Sequence, residues 1–295
     1  MEIRYFYPIF LLLSIFLIGC SSKEASLDSI AFSSKECEQN WGICTVYDKG
    51  KNNRSGDNVV KIAILDSGIN SNLDILEGKV KETYNAINKN SETLDELGHG
   101  TMIASIIAAE ENSHNIIGVN PDAELYDVQV LNSKGSGQIE NVIDGIHWSI
   151  DKKVDIINLS FGFKKDEPML KEAIHLALSN DILVVASAGN TLGLYTHYPA
   201  MYEGVYSISA IDKDLNRYNL AAKGKIDYVA PGVDIPVYNQ NGDTIIQSGT
   251  SLATAYATGI ISILMSKEDS KKDLKLTSKP LGKKDDFGLG LLIIK

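Results

Sequence analysis

From residue 59 onward, apolar runs of strand length alternate with longer segments of helical period, and no other feature constrains the fold as strongly. The run over 59–65 is apolar almost throughout rather than at every second position, which suits a strand buried on both faces. Residues 124–131, 155–159, 182–187 and 205–210 read the same way. Between them, helical spacing marks 101–109, 138–150 and 168–180, with a last helix from Ser251 to about Ser266. In the second of these, Ile139, Val142, Ile143, Ile146 and Ile150 fall on one stripe, as a helix packed against a sheet requires. This alternation predicts an α/β domain: a mostly parallel sheet covered on both faces. Function in such sheets gathers at the carboxyl ends of the strands.

The N-terminal part follows different rules. Arg4 precedes an apolar and aromatic run over 5–18, interrupted at Ser14 and ending Leu17-Ile18-Gly19-Cys20. It is short for a membrane span, which needs ~20 residues, and suits the hydrophobic part of an export signal. The ending resembles a bacterial lipobox, which implies signal cleavage before Cys20 and diacylation of its sulfur; an ordinary signal or a short anchor are the alternatives. Two acyl chains hold a protein stably at a membrane surface. Residues 20–58, rich in Ser, Lys, Glu, Asn and Gly, read as a tether and N-terminal extension. Outside the cytosol, Cys37 and Cys44 either close a small loop around Trp41 and Gly42 or stay as two thiols. No cysteine has zinc-site spacing. The net charge of −10, with no long basic block, argues against nucleic acid as a partner.

Four polar positions stand out against apolar surroundings. The first strand runs into Asp66-Ser67-Gly68, a turn or a costly buried carboxylate that needs a partner. Gly98-His99-Gly100-Thr101 precedes a helix; the glycines leave room around the imidazole, and Thr101 suits a helix start. Asn190 follows the apolar strand ending Ala186-Ser187-Ala188-Gly189, and serves a turn or aims its amide at a reacting carbonyl. In Ser248-Gly249-Thr250-Ser251, Ser251 sits at the mouth of a helix rich in small residues, where free amides and a positive dipole end collect. Taken singly, Ser251 reads equally well as a helix cap.

Together, in the order Asp, His, Asn, Ser and with these flanks, the motifs resemble the subtilisin-like serine protease family over about residues 59–292. The resemblance implies the three-layer subtilisin-like fold, and it implies roles. Ser251 would attack the scissile carbonyl, His99 would shuttle the proton, Asp66 would hold the imidazole, and Asn190 with the Ser251 amide would stabilise the oxyanion. Ser160, Phe161 and Gly162 look like one substrate-pairing wall, and Gly135, Ser136 and Gly137 like the other. Ser187, Ala188, Gly189 and His197 would line the pocket for the residue before the cut, with His197 narrowing it or favouring a polar or acidic residue. A polypeptide is the implied substrate, the protein is expected to act as a monomer, and the chemistry needs no cofactor. Relatives often hold structural calcium; the loop 110–115 offers oxygen side chains for it, or is simply solvated. Relatives usually carry a folding pro-domain of about 70 residues or more, and 21–58 is too short for one. Thr254 and Ala255 stand where the family usually has Ser and Pro. The competing function is an inactive, lipid-anchored peptide binder; a lipase or esterase is disfavoured because Ala253 stands where its nucleophile motif needs Gly.

Overall fold

A computed structural model describes residues 1, 30–31, 34–47, 51–52, 58–110, 116–268, 270–271 and 274–295. Cys20 with its preceding apolar run, and residues 111–115 of the expected calcium loop, lie outside the described residues. In chain order the elements are β1 (Ile30–Ala31), α1 (Ser34–Gln39), α2 (Trp41–Val46), β2 (Lys51–Asn52), β3 (Lys61–Asp66), β4 (Val80–Asn85) and α3 (His99–Ala108). Then follow β5 (Glu124–Gln129), α4 (Ile139–Asp151), β6 (Ile156–Leu159), α5 (Pro168–Ser179), β7 (Leu183–Ser187), β8 (Tyr206–Ile211) and β9 (Tyr228–Pro231). The chain closes with β10 (Ile235–Tyr238), β11 (Thr244–Gln247), α6 (Thr250–Ser266), β12 (Thr277–Lys279), α7 (Lys284–Phe287) and β13 (Leu291–Ile293).

Nine strands form the central sheet in the order β12-β13-β9-β8-β7-β6-β3-β5-β4. Every neighbouring pair is parallel except β12 with β13. All five expected strands and all four expected helices are present, each with ends shifted by a few residues. Strand geometry sorts consecutive side chains onto opposite faces. Accordingly Ile62 and Ile64 of β3 enter one core with α3 and α6, while Ala63 and Leu65 enter a second core with α4 and α5. The expected α4 stripe lies on that second core, with Val142 and Ile146 fully buried and Ile139, Ile143 and Ile150 packed beside them. Each fully buried aliphatic side chain contributes about 1.5–3 kcal/mol, so these layers dominate stability.

α6 runs through the first core, and its small residues let it lie close. A Cβ on Gly259 would come 2.6 Å from Val119 Cβ, a contact that real side chains do not make. The segment expected to be a tether is in part packed against the same helix. Cys37 and Cys44 form a disulfide with Cα atoms 5.5 Å apart, closing the loop around Trp41 and Gly42. Ile43, Val46 and Tyr47 are buried in the first core. Tyr256 of α6 donates its hydroxyl to Asn40 Oδ1 at 3.0 Å, and Trp41 Nε1 donates to the Val233 carbonyl at 3.2 Å. Residues 40–47 therefore pack into the domain, with the side chains of Ile43, Val46 and Tyr47 in its core and Trp41 against it. No helix among the described residues is long and apolar enough to cross a membrane.

Candidate active site

β3 delivers Asp66 to the carboxyl edge of the sheet in a fully buried position. Its Oδ1 accepts from the Ser67 amide at 2.8 Å and meets His99 Nδ1 at 2.7 Å, while its Oδ2 is buried without a partner. An aspartate on Nδ1 assigns the imidazole proton there and leaves Nε2 as a proton acceptor. The His99 side chain is 24% exposed and that of Asp66 1%, so the base is reachable and its orienting group is dry. Burial alone would depress the His99 pKa. The charge and hydrogen bond of Asp66, aided by the charge of Asp95, outweigh that and hold it above its ordinary value.

The glycines beside His99 make room for backbone and a neighbouring side chain rather than for the imidazole itself. A Cβ at Gly100 would fall 2.0 Å from the Gly68 carbonyl oxygen. At Gly98 the φ of +84° suits glycine, and a Cβ would fall 2.1 Å from Gln240 Oε1. Helix α3 begins at His99, not at Thr101 as expected. Thr101 is fully buried, and its Oγ1 accepts from the Asn70 amide at 2.9 Å.

Ser251 lies in the first turn of α6, where amides have no partner within the helix. Its Oγ donates to the Ser160 carbonyl at 2.6 Å, and Ser160 Oγ donates back to the Ser251 carbonyl at 3.1 Å. The hydroxyl proton is thus given to the cleft wall and not to His99. Such hydroxyls are often misaligned until substrate binds. Asn190, three residues beyond β7, has its amide orientation set by Thr250: Oδ1 accepts from Thr250 N at 3.2 Å and from Thr250 Oγ1 at 3.1 Å. With the Thr250 proton committed, Ser187 Oγ donates to Thr250 Oγ1 at 2.7 Å. The Asn190 NH2 group is left as a donor at the cleft. Thr250 is a positioning residue that sequence reasoning missed; the signal is a hydroxyl immediately before the candidate nucleophile.

His99, Ser251, Asn190 and Thr250 border one cleft of about 310 Å³. Gly135, Ser160, Phe161, Gly162, Ser187, Gly189 and His197 line it too. Ser136 and Gly137 lie beyond this lining: the Ser136 carbonyl accepts from the Asn132 amide at 3.0 Å, and Gly137 bridges to Leu131. Ala188 departs from expectation. Its side chain is buried in a separate small core with Ile211 and Val229, and only its carbonyl, accepting from the His197 amide at 2.9 Å, serves the pocket. The His197 ring occupies the space between two glycine backbones; a Cβ on Gly189 would touch its Nδ1 at 2.7 Å, and one on Gly162 its Cβ at 2.7 Å. Burial, with the charge of Lys164, lowers the His197 pKa. Its Nε2 is buried without a partner.

Behind the Asp66–His99 pair lie two more buried carboxyls, Asp95 and Asp127. Burial pushes Asp127 up to about 7, against hydrogen bonds from Thr93 and the Ile69 amide and with help from the charges of Asp95 and Asp66. Among the described residues no group of three or more His, Cys, Asp or Glu side chains is arranged to hold a metal ion.

The sequence model of the Subtilase family matches residues 57–280. The chain is 33% identical over 260 residues to Subtilisin Savinase of Lederbergia lenta, across 85% of this chain and 96% of that protein. It is 33% identical to M-protease of Shouchella clausii, across 85% of this chain and 68% of the relative. It is 32% identical over 247 residues to the minor extracellular protease Epr of Bacillus subtilis, across 80% of this chain and 38% of that one.

Proposed function

The chain belongs to the subtilase family of serine endopeptidases, and from that premise we propose that it cuts extracytoplasmic polypeptides with Asp66, His99 and Ser251 as its triad. The observation that carries this reading is the 2.7 Å Asp66–His99 contact at the edge of a cleft that also holds Ser251 and Asn190. An extended peptide pairs its main chain with Ser160, Phe161 and Gly162 on one side and Gly135 to Gly137 on the other. Ser251 Oγ turns from the Ser160 carbonyl, gives its proton to His99 Nε2 and attacks the scissile carbon. The Asn190 amide and the Ser251 N–H take the developing oxyanion. His99, now an imidazolium held by Asp66, returns the proton to the leaving amine. Water, activated by His99 in the same way, then frees the acyl group.

In the pocket before the cut, the His197 ring limits depth or favours a polar or acidic side chain. His197→Gly should shift the cleavage profile toward larger side chains; an unchanged profile removes this assignment. Cys20 acylation would hold the enzyme at the outer face of a membrane. The Cys37–Cys44 disulfide and the name of the extracellular relative from Bacillus subtilis support an oxidising, extracytoplasmic site. A compact, tethered protease suits maturation of an exported peptide, such as removal of a bacteriocin leader. Calcium binding by the loop 110–115 belongs to the same reading.

A fluorophosphonate probe should label the wild type and not Ser251→Ala, and a peptide library followed by intact mass should show cuts with the wild type alone. Absence of labelling and of cuts in the wild type would leave a peptide-binding protein. Cys20→Ala should move the protein from the membrane fraction to the medium.

A further inference from the structure

The turn that carries His99 is fastened to the strand that carries Asp66 by a third carboxylate, which no motif reading singled out. Asp95 stands four residues before His99 and is 5% exposed. Its Oδ1 accepts from the Gly98 amide at 2.7 Å and from Ser67 Oγ at 2.7 Å. Its Oδ2 accepts from the Thr101 amide at 2.9 Å and from Thr101 Oγ1 at 2.6 Å. Four donors fill the acceptor capacity of an ionised carboxylate. Ser67 closes the loop: its Oγ accepts from the Gly100 amide at 3.0 Å, and its own amide donates to Asp66 Oδ1 at 2.8 Å.

These bonds take hold of the residues on both sides of His99 and of the residue beside Asp66. A group serving only to cap α3 would bond the helix amides and stop there. The arm to Ser67 does nothing for the helix; it ties the helix start to the end of β3, and so fixes the spacing of the proton-sharing pair. The clip is also a fixed negative charge in a dry setting, where Coulomb interactions act over longer distances than in water. Asp66 from β3 and Asp95 from the approach to α3 bear on His99, and Asp127 from β5 interacts with both of them.

We propose that Asp95 is a positioning residue for the proton transfer, a carboxylate clip that sets the Asp66–His99 geometry and favours the imidazolium formed during turnover. This deepens the endopeptidase reading and rests on it. Two substitutions separate its parts. Asp95→Asn keeps the shape but removes the charge and part of the acceptor capacity; Ser67→Ala opens one arm and leaves the charge in place. Peptide hydrolysis is measured against pH with the full chain, per mole of protein that is folded by near-ultraviolet dichroism.

Asp95→Asn should lower kcat about 10- to 100-fold, the scale on which small misplacements act, with KM changed far less. The acid limb of kcat/KM should move to lower pH, and by a similar amount in an Asp127→Asn background. Ser67→Ala should lower kcat with the acid limb unmoved. The proposal is overturned by an Asp95→Asn enzyme with wild-type kcat and acid limb, or by a limb shift that vanishes in the Asp127→Asn background. If Asp95→Asn does not fold, Ser67→Ala decides alone, and a full kcat there overturns the clip. A wild type that neither takes the fluorophosphonate nor cleaves peptides defeats the underlying reading instead.

Discussion

The body of α6 and its first turn are parts of one helix held to different rules. In the body, Thr254, Thr258, Ser262 and Ser266 recur every four residues, and all are buried. Each hydroxyl is used: Thr254 donates to the Thr250 carbonyl at 2.8 Å, Thr258 to Asn158 Oδ1 at 2.8 Å, Ser262 to the Gly259 carbonyl at 2.8 Å and Ser266 to the Ile263 carbonyl at 2.9 Å. Around the first turn, capacity is left over. His197 Nε2 is buried with no partner, and the Asn190 NH2 group faces the cleft. An unpaired buried polar group costs about 1–3 kcal/mol, so the contrast is expensive to maintain. It teaches that the helix body is built for the folded chain alone, whereas its mouth is arranged for a visitor.

The contrast is sharpest at Ser251. Ser251→Ala should remove about 10⁶-fold of kcat, a magnitude carried over from this family's own nucleophile, with thermal unfolding nearly unchanged. Asn190→Ala should cost roughly 10²- to 10³-fold in kcat with KM little altered, again a value borrowed from the family's oxyanion donor. Steady-state kinetics on one peptide substrate checks both, and an Asn190→Ala enzyme of full activity would break the contrast. Asp127 gives a stability effect with a definite sign. Its folded pKa is raised from 3.8 to about 7, so between those values the folded chain keeps a proton that the unfolded chain has released. The stability this supplies is complete below 3.8 and lost as pH rises through about 7. Asp127→Asn mimics the protonated acid, and its advantage over the wild type should grow by on the order of 1.4 kcal/mol per pH unit across that window, read from unfolding at several pH values. The smallest effect belongs to the helix body. Ser262→Ala takes the acceptor from Asn120 Nδ2, now 2.8 Å away, and should cost about 1–3 kcal/mol in stability while kcat stays at the wild-type value.

What could be read in the sequence was what burial on both faces writes into it. β3, β6 and β7 are nearly continuous apolar runs because helices cover both sides, and β5 and β8 keep enough apolar residues between polar ones to show as strands. β4 escaped notice because it is an edge strand with Lys81, Glu82 and Thr83 exposed, so its composition resembles a loop. The hairpin of β10 and β11 and the pairing of β12 with β13 are short and leave no period to detect. Asp66, His99, Asn190 and Ser251 stood out in the sequence because each is a polar residue next to an apolar strand or helix and within two residues of a glycine. Thr250 and Asp95 were not, since their roles rest on partners such as Asn190 and Ser67 that lie 60 and 28 positions away. The direction of the Ala188 methyl, away from the cleft, could not be read because the sequence beside a pocket says nothing about which way one methyl points. The packing of residues 41–47 was hidden by the polar stretch on either side.

The contact between positions 68 and 100 carries a lesson for anyone randomising this enzyme. With only 2.0 Å between the Gly68 oxygen and the point where a side chain would start, position 100 is closed to every residue that has one. Diversity spent there goes to clones that cannot keep this turn, whereas at position 98 the blocking atom is the end of the Gln240 side chain, which can move, and the cost is that of a positive φ. Glu96 is exposed and Leu97 half so, which makes them the places where a combinatorial search beside the base has room to explore.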